Sequence, residues 1–262
     1  FFFKQKTAYE IVDCDWSSDV CSSDLLPEIG STNTELLARA REAGPAFAPC
    51  LLVAERQSAG RGRLGRQWQS SVGDSLTFSL AVPLARPDWS GLSLAVGVAL
   101  AEALDPAGDW LHLKWPNDLW RLDGRKLGGI LIEGLPLAQG PRVAVAGVGL
   151  NLRAPRGADP ALAVATLDEA LPGLDAPALL HRVGPAVAAA LRRFDTEGLA
   201  GFAAAFARRD LLAGQPVTTT DPACPDGLGD GIDPDGALRL RRDGRVHRVV
   251  SGEVSVRPAP RG

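Results

Sequence analysis

The chain contains no methionine, one tyrosine and only four lysines, so 24 of its 28 basic residues are arginine. An absent initiator is expected of a fragment or a processed product. Cysteine is equally sparse, with four residues at spacings that match neither a disulfide framework nor a zinc site. The longest apolar stretch, 91–104, is interrupted by Glu102 and is too short to span a bilayer, which argues against a membrane protein. Charge of one sign is missing too. The 28 basic and 31 acidic residues leave −3, which is no footprint of a general polyanion binder. What remains is a globular composition over 262 residues, enough for one or two soluble domains with a sizeable core.

Residues 1–25 (FFFKQKTAYEIVDCDWSSDVCSSDL) differ in texture from the rest of the chain. They hold the only tyrosine, Tyr9, two of the four cysteines, Cys14 and Cys21, and two of the four lysines, Lys4 and Lys6. A signal peptide needs an uninterrupted apolar region and a small-residue cleavage site, and neither is there. The segment resembles translated sequencing-library adapter, since Cys21 through Leu25 is what TGCTCTTCCGATCT encodes. No evolved function is expected of 1–25, only disorder or an arbitrary conformation. Without them the basic and acidic residues balance at 26 each. The remaining cysteines, Cys50 and Cys224, stand far apart, as is compatible with a reducing cytoplasm.

Hydrophobic periodicity then gives a coarse order. Ser31-Thr32-Asn33 reads as a helix start, with Ser31 or Thr32 as N-cap. LLVAE (51–55) and LTFSLAV (76–82) read as strands, the second ended by Pro83. The apolar run 91–104 predicts a largely buried helix. WLHLK (110–114) alternates like a half-buried strand that Pro116 stops. Segments 119–122 and 125–133 flank Asp123-Gly124, a strong hairpin signal. RVAVAGVGLNL (142–152) is a further strand, and two or three Ala/Leu-rich helices fill 160–209. Beyond Leu211, short β segments with Asp-Gly turns predict a small antiparallel barrel.

Outside the first 25 residues only two lysines, Lys114 and Lys126, and three asparagines, Asn33, Asn117 and Asn151, are present. In an arginine-rich background such residues mark positions where a compact ammonium or a neutral amide cannot be exchanged. All five lie in Gly- or Pro-punctuated segments: GSTN, KWPND, GRKLGGILIE and GVGLN. A second concentration is GRGRLGRQW, 60–68. It matches a dinucleotide fingerprint formally, but the required helix and ribose-binding acid do not follow it. Three arginines on a glycine-rich loop instead suit a clamp for phosphate or carboxylate, with Trp68 as an apolar lid element.

Taken in order, STN, QSAGRGRLGRQW, KWPND, RKLGGILIE and GVGLN resemble the motifs of biotin protein ligases, the biotin–[acetyl-CoA-carboxylase] ligases. The match runs over about 26–151, and the late segment SGEVSVR resembles the family's small C-terminal domain. The resemblance implies an α+β fold: a mixed β-sheet backed by helices, of the class II synthetase-like biotin/lipoate ligase type, over 26–210. A small SH3-like β-barrel would follow over 211–258. It also implies a cytoplasmic enzyme that joins biotin to ATP, with Mg²⁺, as biotinyl-5′-AMP. The biotin then passes to a lysine of a biotin carboxyl carrier protein of acetyl-CoA carboxylase. No membrane or nucleic-acid partner is implied, and a homodimer is compatible.

In the first step a carboxylate attacks a phosphate, so two anions must be brought together. Fixed cations matter more than a general base, because the carboxylate is already ionised. By the resemblance Lys114 bridges carboxylate and α-phosphate, Arg61 and Arg63 close over the same charge, and Lys126 lies near the biotin carboxylate. Asp118 orients the carrier lysine or positions Lys114. Ser31, Thr32, Asn33 and Gln57 supply biotin-binding side chains, while Gly60, Gly128 and Gly129 allow close backbone approach. Arg66, Trp68, Asn117 and Asn151 fall to the adenylate side, and no protein ligand is assigned to the metal. Residues 57–71 are expected to order with ligand and to shield the adenylate from water. The three histidines, His112, His181 and His247, are read as structural or surface groups. A lipoate ligase is the nearest rival, but such enzymes resemble RRxSGGG at the loop. A biotin-responsive repressor would need a DNA-binding domain ahead of Leu26.

Overall fold

The computed structural model describes residues 22–138, 140–154 and 164–250, and the backbone of Arg257 and Pro258. Seven strands form one sheet: Ser22–Ile29 (β1), Cys50–Gln57 (β2), Ser75–Leu84 (β3), Leu111–Lys114 (β4), Asp118–Arg121 (β5), Lys126–Leu135 (β6) and Arg142–Asn151 (β7). Their order is β1-β2-β3-β7-β6-β5-β4. The β1–β2 pair is parallel and the other pairs are antiparallel, so the sheet is mixed as expected.

Alternation along the strands sorts the two faces. Leu76, Phe78 and Leu80 of β3 and Ala144, Ala146, Val148 and Leu150 of β7 point into the main core. The opposite face takes helix Thr32–Ala43 (α1), whose Leu36 and Ala40 pack on Leu52, Ala81, Val143 and Val145. Helices Leu92–Leu104 (α2) and Ala176–Glu197 (α3) cover the main-core side. The near-continuous apolar sequence of α2 fits this burial. A shorter helix, Ala203–Arg209 (α4), leads out of this unit. There the buried Arg209–Asp105 ion pair, at 3.4 Å, ties α4 to the end of α2. Asp105 also accepts four backbone N–H bonds from residues 108–111, which fix the entry to β4.

The C-terminal strands are Pro216–Thr218 (β8), Asp226–Ile232 (β9), Leu238–Arg242 (β10), Arg245–Val249 (β11) and Arg257–Pro258 (β12). They form an antiparallel sheet in the order β11-β10-β9-β8-β12, which does not close into a barrel among the described residues. Most of the SGEVSVR motif, 251–256, lies outside the described residues. The two sheets are joined at Trp115, whose Nε1 donates to Gly236 O at 2.9 Å.

Two expectations need correction. Pro83 does not end its strand: β3 continues to Leu84, with Pro83 opposite Val143. Pairing with β2 ends at Ala81, so a missing N–H on that side breaks no ladder bond. Ser22–Leu25, counted with the adapter-like segment, are also not arbitrary in conformation. They begin β1, with Leu25 against the main core and Asp24 paired with Arg39. Main-chain pairing at a sheet edge is tolerant of sequence, and one apolar residue at the right parity satisfies it. The rest of that segment, 1–21, lies outside the described residues.

Candidate active site

The face that α1 covers only in part becomes the floor of a cavity of about 590 Å³, within the range of sites that enclose small ligands. Register defines this floor. Thr77 of β3 stands opposite Gly149 of β7, which stands opposite Gly129 of β6, which stands opposite Asp118 of β5. Asp118 in turn stands opposite Lys114 of β4. Two glycines of this row and Gly147 leave the backbone bare, and neighbouring side chains fill the space. A β-carbon at Gly149 would lie 2.4 Å from the Trp68 ring, and one at Gly147 would lie 2.3 Å from Asn33 Oδ1.

Lys126 reaches this floor through a change of register. Asp118 pairs with Gly129 and Leu119 with Gly128, but Trp120 pairs with Lys126 where an unbroken ladder would bring Leu127. The one-residue bulge turns Leu127 into the main core and Lys126 onto the cavity side. Lys126 Nζ then donates to Asp118 Oδ1 at 2.7 Å. The tight turn that feeds β6 depends on Gly124 at φ +85°.

At the α1 end, Ser31 caps the helix by accepting from Thr34 N at 3.4 Å. Thr32 donates to Gln57 Oε1 from both N, at 2.7 Å, and Oγ1, at 3.1 Å. Asn33 Nδ2 donates to Leu131 O at 3.2 Å and to Glu133 Oε2 at 3.0 Å. Ser79 Oγ lies 2.6 Å from both Thr32 Oγ1 and Asn33 Oδ1. Glu133 also holds Arg61 at 3.1 Å. This network ties α1 and the arginine loop to β3 and β6.

The loop 58–74, between β2 and β3, is folded over the cavity mouth. Trp68 N donates to Gly60 O at 2.9 Å and Trp68 Nε1 to Thr77 Oγ1 at 3.3 Å. Arg63 reaches Asn117 Oδ1 at 3.4 Å, and Asn117 Nδ2 donates to Ile130 O at 2.7 Å. Burial pushes the Arg63 guanidinium down from its ordinary value, while nearby Asp118 opposes that shift. It remains a cation. Among the described residues five cations line the cavity, Arg61, Arg63, Arg66, Lys114 and Lys126, against the single carboxylate of Asp118. Such a site receives anions.

Most residues expected at a site converge here: Ser31, Thr32, Asn33, Gln57, Arg61, Arg63, Arg66, Trp68, Lys114, Asn117, Asp118, Lys126 and Gly129 all line the cavity. Three do not. Gly128 faces the other side of β6, where a β-carbon would meet Gly149 O at 2.5 Å and Leu150. Gly60 is blocked by Trp68 O at 2.3 Å, so its missing side chain serves the loop's own closure. Asn151 uses its amide on backbone, donating to Lys126 O at 3.4 Å and Ala165 O at 3.3 Å. It braces the start of β6 beneath Lys126. Glu133, Ser79, Thr77 and Trp120 were not expected. Thr77 and Ser79 are the polar alternates in LTFSLAV, and Glu133 has the same parity as Gly129 and Leu131, so a period-two reading finds all three.

A family model described as the Biotin/lipoate A/B protein ligase family matches residues 25–151. The bifunctional ligase/repressor BirA of Salmonella typhimurium is 38% identical over 242 residues, spanning 90% of this chain and 74% of that protein. The biotin–[acetyl-CoA-carboxylase] ligase of Mycobacterium tuberculosis is 35% identical over 241 residues, spanning 88% of this chain and 87% of that protein. Among solved structures, the biotin protein ligase from Aquifex aeolicus in complex with biotin and ATP superposes with a TM-score of 0.74 at 27% identity. That match covers 90% of this chain and 99% of the other.

Proposed function

The chain belongs to the biotin protein ligase family, and from that premise we propose how its cavity carries out ATP-dependent ligation of biotin. The observation that carries the reading is the set of five cations that line one cavity together with the neutral polar side chains of Ser31, Thr32, Asn33 and Gln57. Biotin's ureido ring takes the end formed by Ser31, Thr32 and Gln57, with Asn33 holding that end to the sheet. Its carboxylate then lies toward Lys114 and Lys126.

ATP enters with its α-phosphate beside Lys114, Arg61 and Arg63. A biotin carboxylate oxygen attacks the α-phosphorus, and the bond from that phosphorus to the bridging oxygen breaks, releasing pyrophosphate. The cations cancel repulsion between the two anions and meet the charge that develops on the phosphoryl oxygens. Arg66 and Trp68 hold the adenylate side and keep water from the acyl-phosphate. Asn117 keeps Arg63 and the β6 backbone in place. In the second step an uncharged carrier lysine attacks the acyl carbon, an amide forms and AMP leaves. Asp118, one of whose oxygens holds Lys126, directs that amine.

Among the described residues no cluster of three or more His, Cys, Asp or Glu could hold a metal. Mg²⁺ would enter with the nucleotide and, when bound, would share the leaving-group charge. We read the carrier as the biotin carboxyl carrier protein of acetyl-CoA carboxylase, after the names of the relatives. The C-terminal sheet is read as the family's SH3-like domain, and the use of ATP points to the cytoplasm. No helix of the described residues is long and apolar enough to cross a membrane.

The test is incubation with ATP, Mg²⁺ and either biotin or lipoate, followed by pyrophosphate release and labelling of an added carrier domain. Biotin-dependent release and labelling are expected. Turnover of lipoate without turnover of biotin would overturn the substrate assignment.

A further inference from the structure

Trp120 has no role in the chemistry above, yet it lines the cavity beside two of its cations, Lys114 and Lys126. It stands opposite Lys126 across β5–β6, and two residues from Asp118, which is opposite Lys114. Lys114 Nζ lies 4.0 Å from the centroid of the Trp120 ring, close enough for attraction to its π face. The indole Nε1 is buried and, among the described residues, has no hydrogen-bond partner. A buried unpaired N–H is costly, and an aliphatic side chain would fill this strand position without it. What an aromatic alone supplies here is a negative face beneath an ammonium.

That choice suits the reaction. Lys114 sits on a flexible four-carbon stem, and its Nζ must be fixed to stabilise charge at one place. A carboxylate would fix it but would also cancel the charge needed by the phosphate. An aromatic face fixes the ammonium without supplying a full counter-charge. We propose that Trp120 is a positioning residue whose π face holds the Lys114 ammonium toward the reacting carboxylate and phosphate. The inference rests on the role given to Lys114 above.

The experiment separates the two readings. Lys114→Met is measured first by biotin-dependent pyrophosphate release, with an expected loss of at least about a hundredfold. Near-normal release would remove Lys114 from the reaction and Trp120 with it. Site-specific replacement of Trp120 by mono-, di- and tetrafluorotryptophan then weakens the π face without changing its shape. A stepwise fall in kcat is expected, roughly three- to tenfold across the series, with KM for biotin and the melting temperature unchanged. Trp120→Phe should keep most of the activity that Trp120→Leu loses. A flat fluorination series beside an inactive Lys114→Met would overturn the platform and leave the Lys114 reading standing.

Discussion

Lys126 Nζ and Asp118 Oδ1 lie 2.7 Å apart because the β5–β6 ladder slips by one residue between them. Without that bulge Lys126 would point into the main core. The pair is then the most direct test of the site. Lys126→Ala is expected to lower biotin-dependent pyrophosphate release by about 10²–10³-fold. Its melting temperature should fall little, because Lys126 is half-exposed. Asp118→Asn keeps the shape and frees Lys126, so it should lower carrier labelling more than pyrophosphate release. Release from Lys126→Ala at near the normal rate would take that residue out of the chemistry.

Two glycine substitutions on adjoining strands should fail in different ways. At Gly149 an alanine methyl meets the Trp68 ring at 2.4 Å, and Trp68 belongs to a loop that can yield. Gly149→Ala should therefore melt within a few degrees of the parent and still form adenylate. It should release biotin and AMP to water faster when no carrier is present. At Gly128 the obstacle is Gly149 O at 2.5 Å, part of the β6–β7 ladder, which cannot move alone. Overpacking of about 1–3 kcal/mol is expected there, or a melting temperature lower by roughly 2–12 °C. Equal loss of stability in both variants would contradict the distinction.

The arginine loop has few main-chain bonds of its own: Gly62 N to Arg66 O, Arg66 N to Arg63 O and Trp68 N to Gly60 O. Leu64 adopts a left-handed conformation, φ 57°, with its side chain largely exposed. Such a segment lies at the low-stability end of a fold. Amide hydrogen exchange over 60–70 should be fast in the free protein and slow by at least tenfold on addition of biotin with ATP. Equal protection in both states would mean that closure is independent of ligand.

What the sequence disclosed was mostly the position of punctuation. Beyond residue 25, Lys and Asn fall only in a few short Gly- or Pro-punctuated segments, and those segments line one cavity. Alternation placed β3, β4 and β7, and Asp123-Gly124 marked the hairpin. The bulge at Leu127 was not legible, since apolar and polar residues in GRKLGGILIE fit either parity until pairing is known. Glu133 escaped because a lone acid at a strand end looks solvated, although it holds both Asn33 and Arg61. Nor could composition show that Ser22–Leu25 would be drawn into the sheet, because edge pairing is read from backbone.

The junction between the two sheets carries a titratable group whose effect on stability has a definite sign. Asp210 follows α4, and its neighbour Leu211 donates from N to Leu113 O at 2.9 Å, fastening the C-terminal part to β4. Asp210 Oδ1 accepts from Leu212 N at 2.9 Å, but Oδ2 is buried and accepts no bond among the described residues. Burial raises the Asp210 carboxyl from 3.8 to about 6. The folded chain thus binds this proton more tightly than the unfolded chain, and stability falls as pH rises from about 4 to about 6, then levels. Glu169 has the opposite sign: its bonds to Arg125 hold it down at about 2, so its contribution is present above 4.5 and is lost as pH falls toward 2. Asp210→Asn keeps an acceptor for Leu212 N and removes the buried charge. It should stabilise the protein at pH 7 by up to on the order of 3 kcal/mol and give no advantage at pH 4. Denaturant unfolding of both proteins across pH 4–7 measures this, and a difference that does not grow with pH would show that the Asp210 carboxyl is not destabilised by its burial.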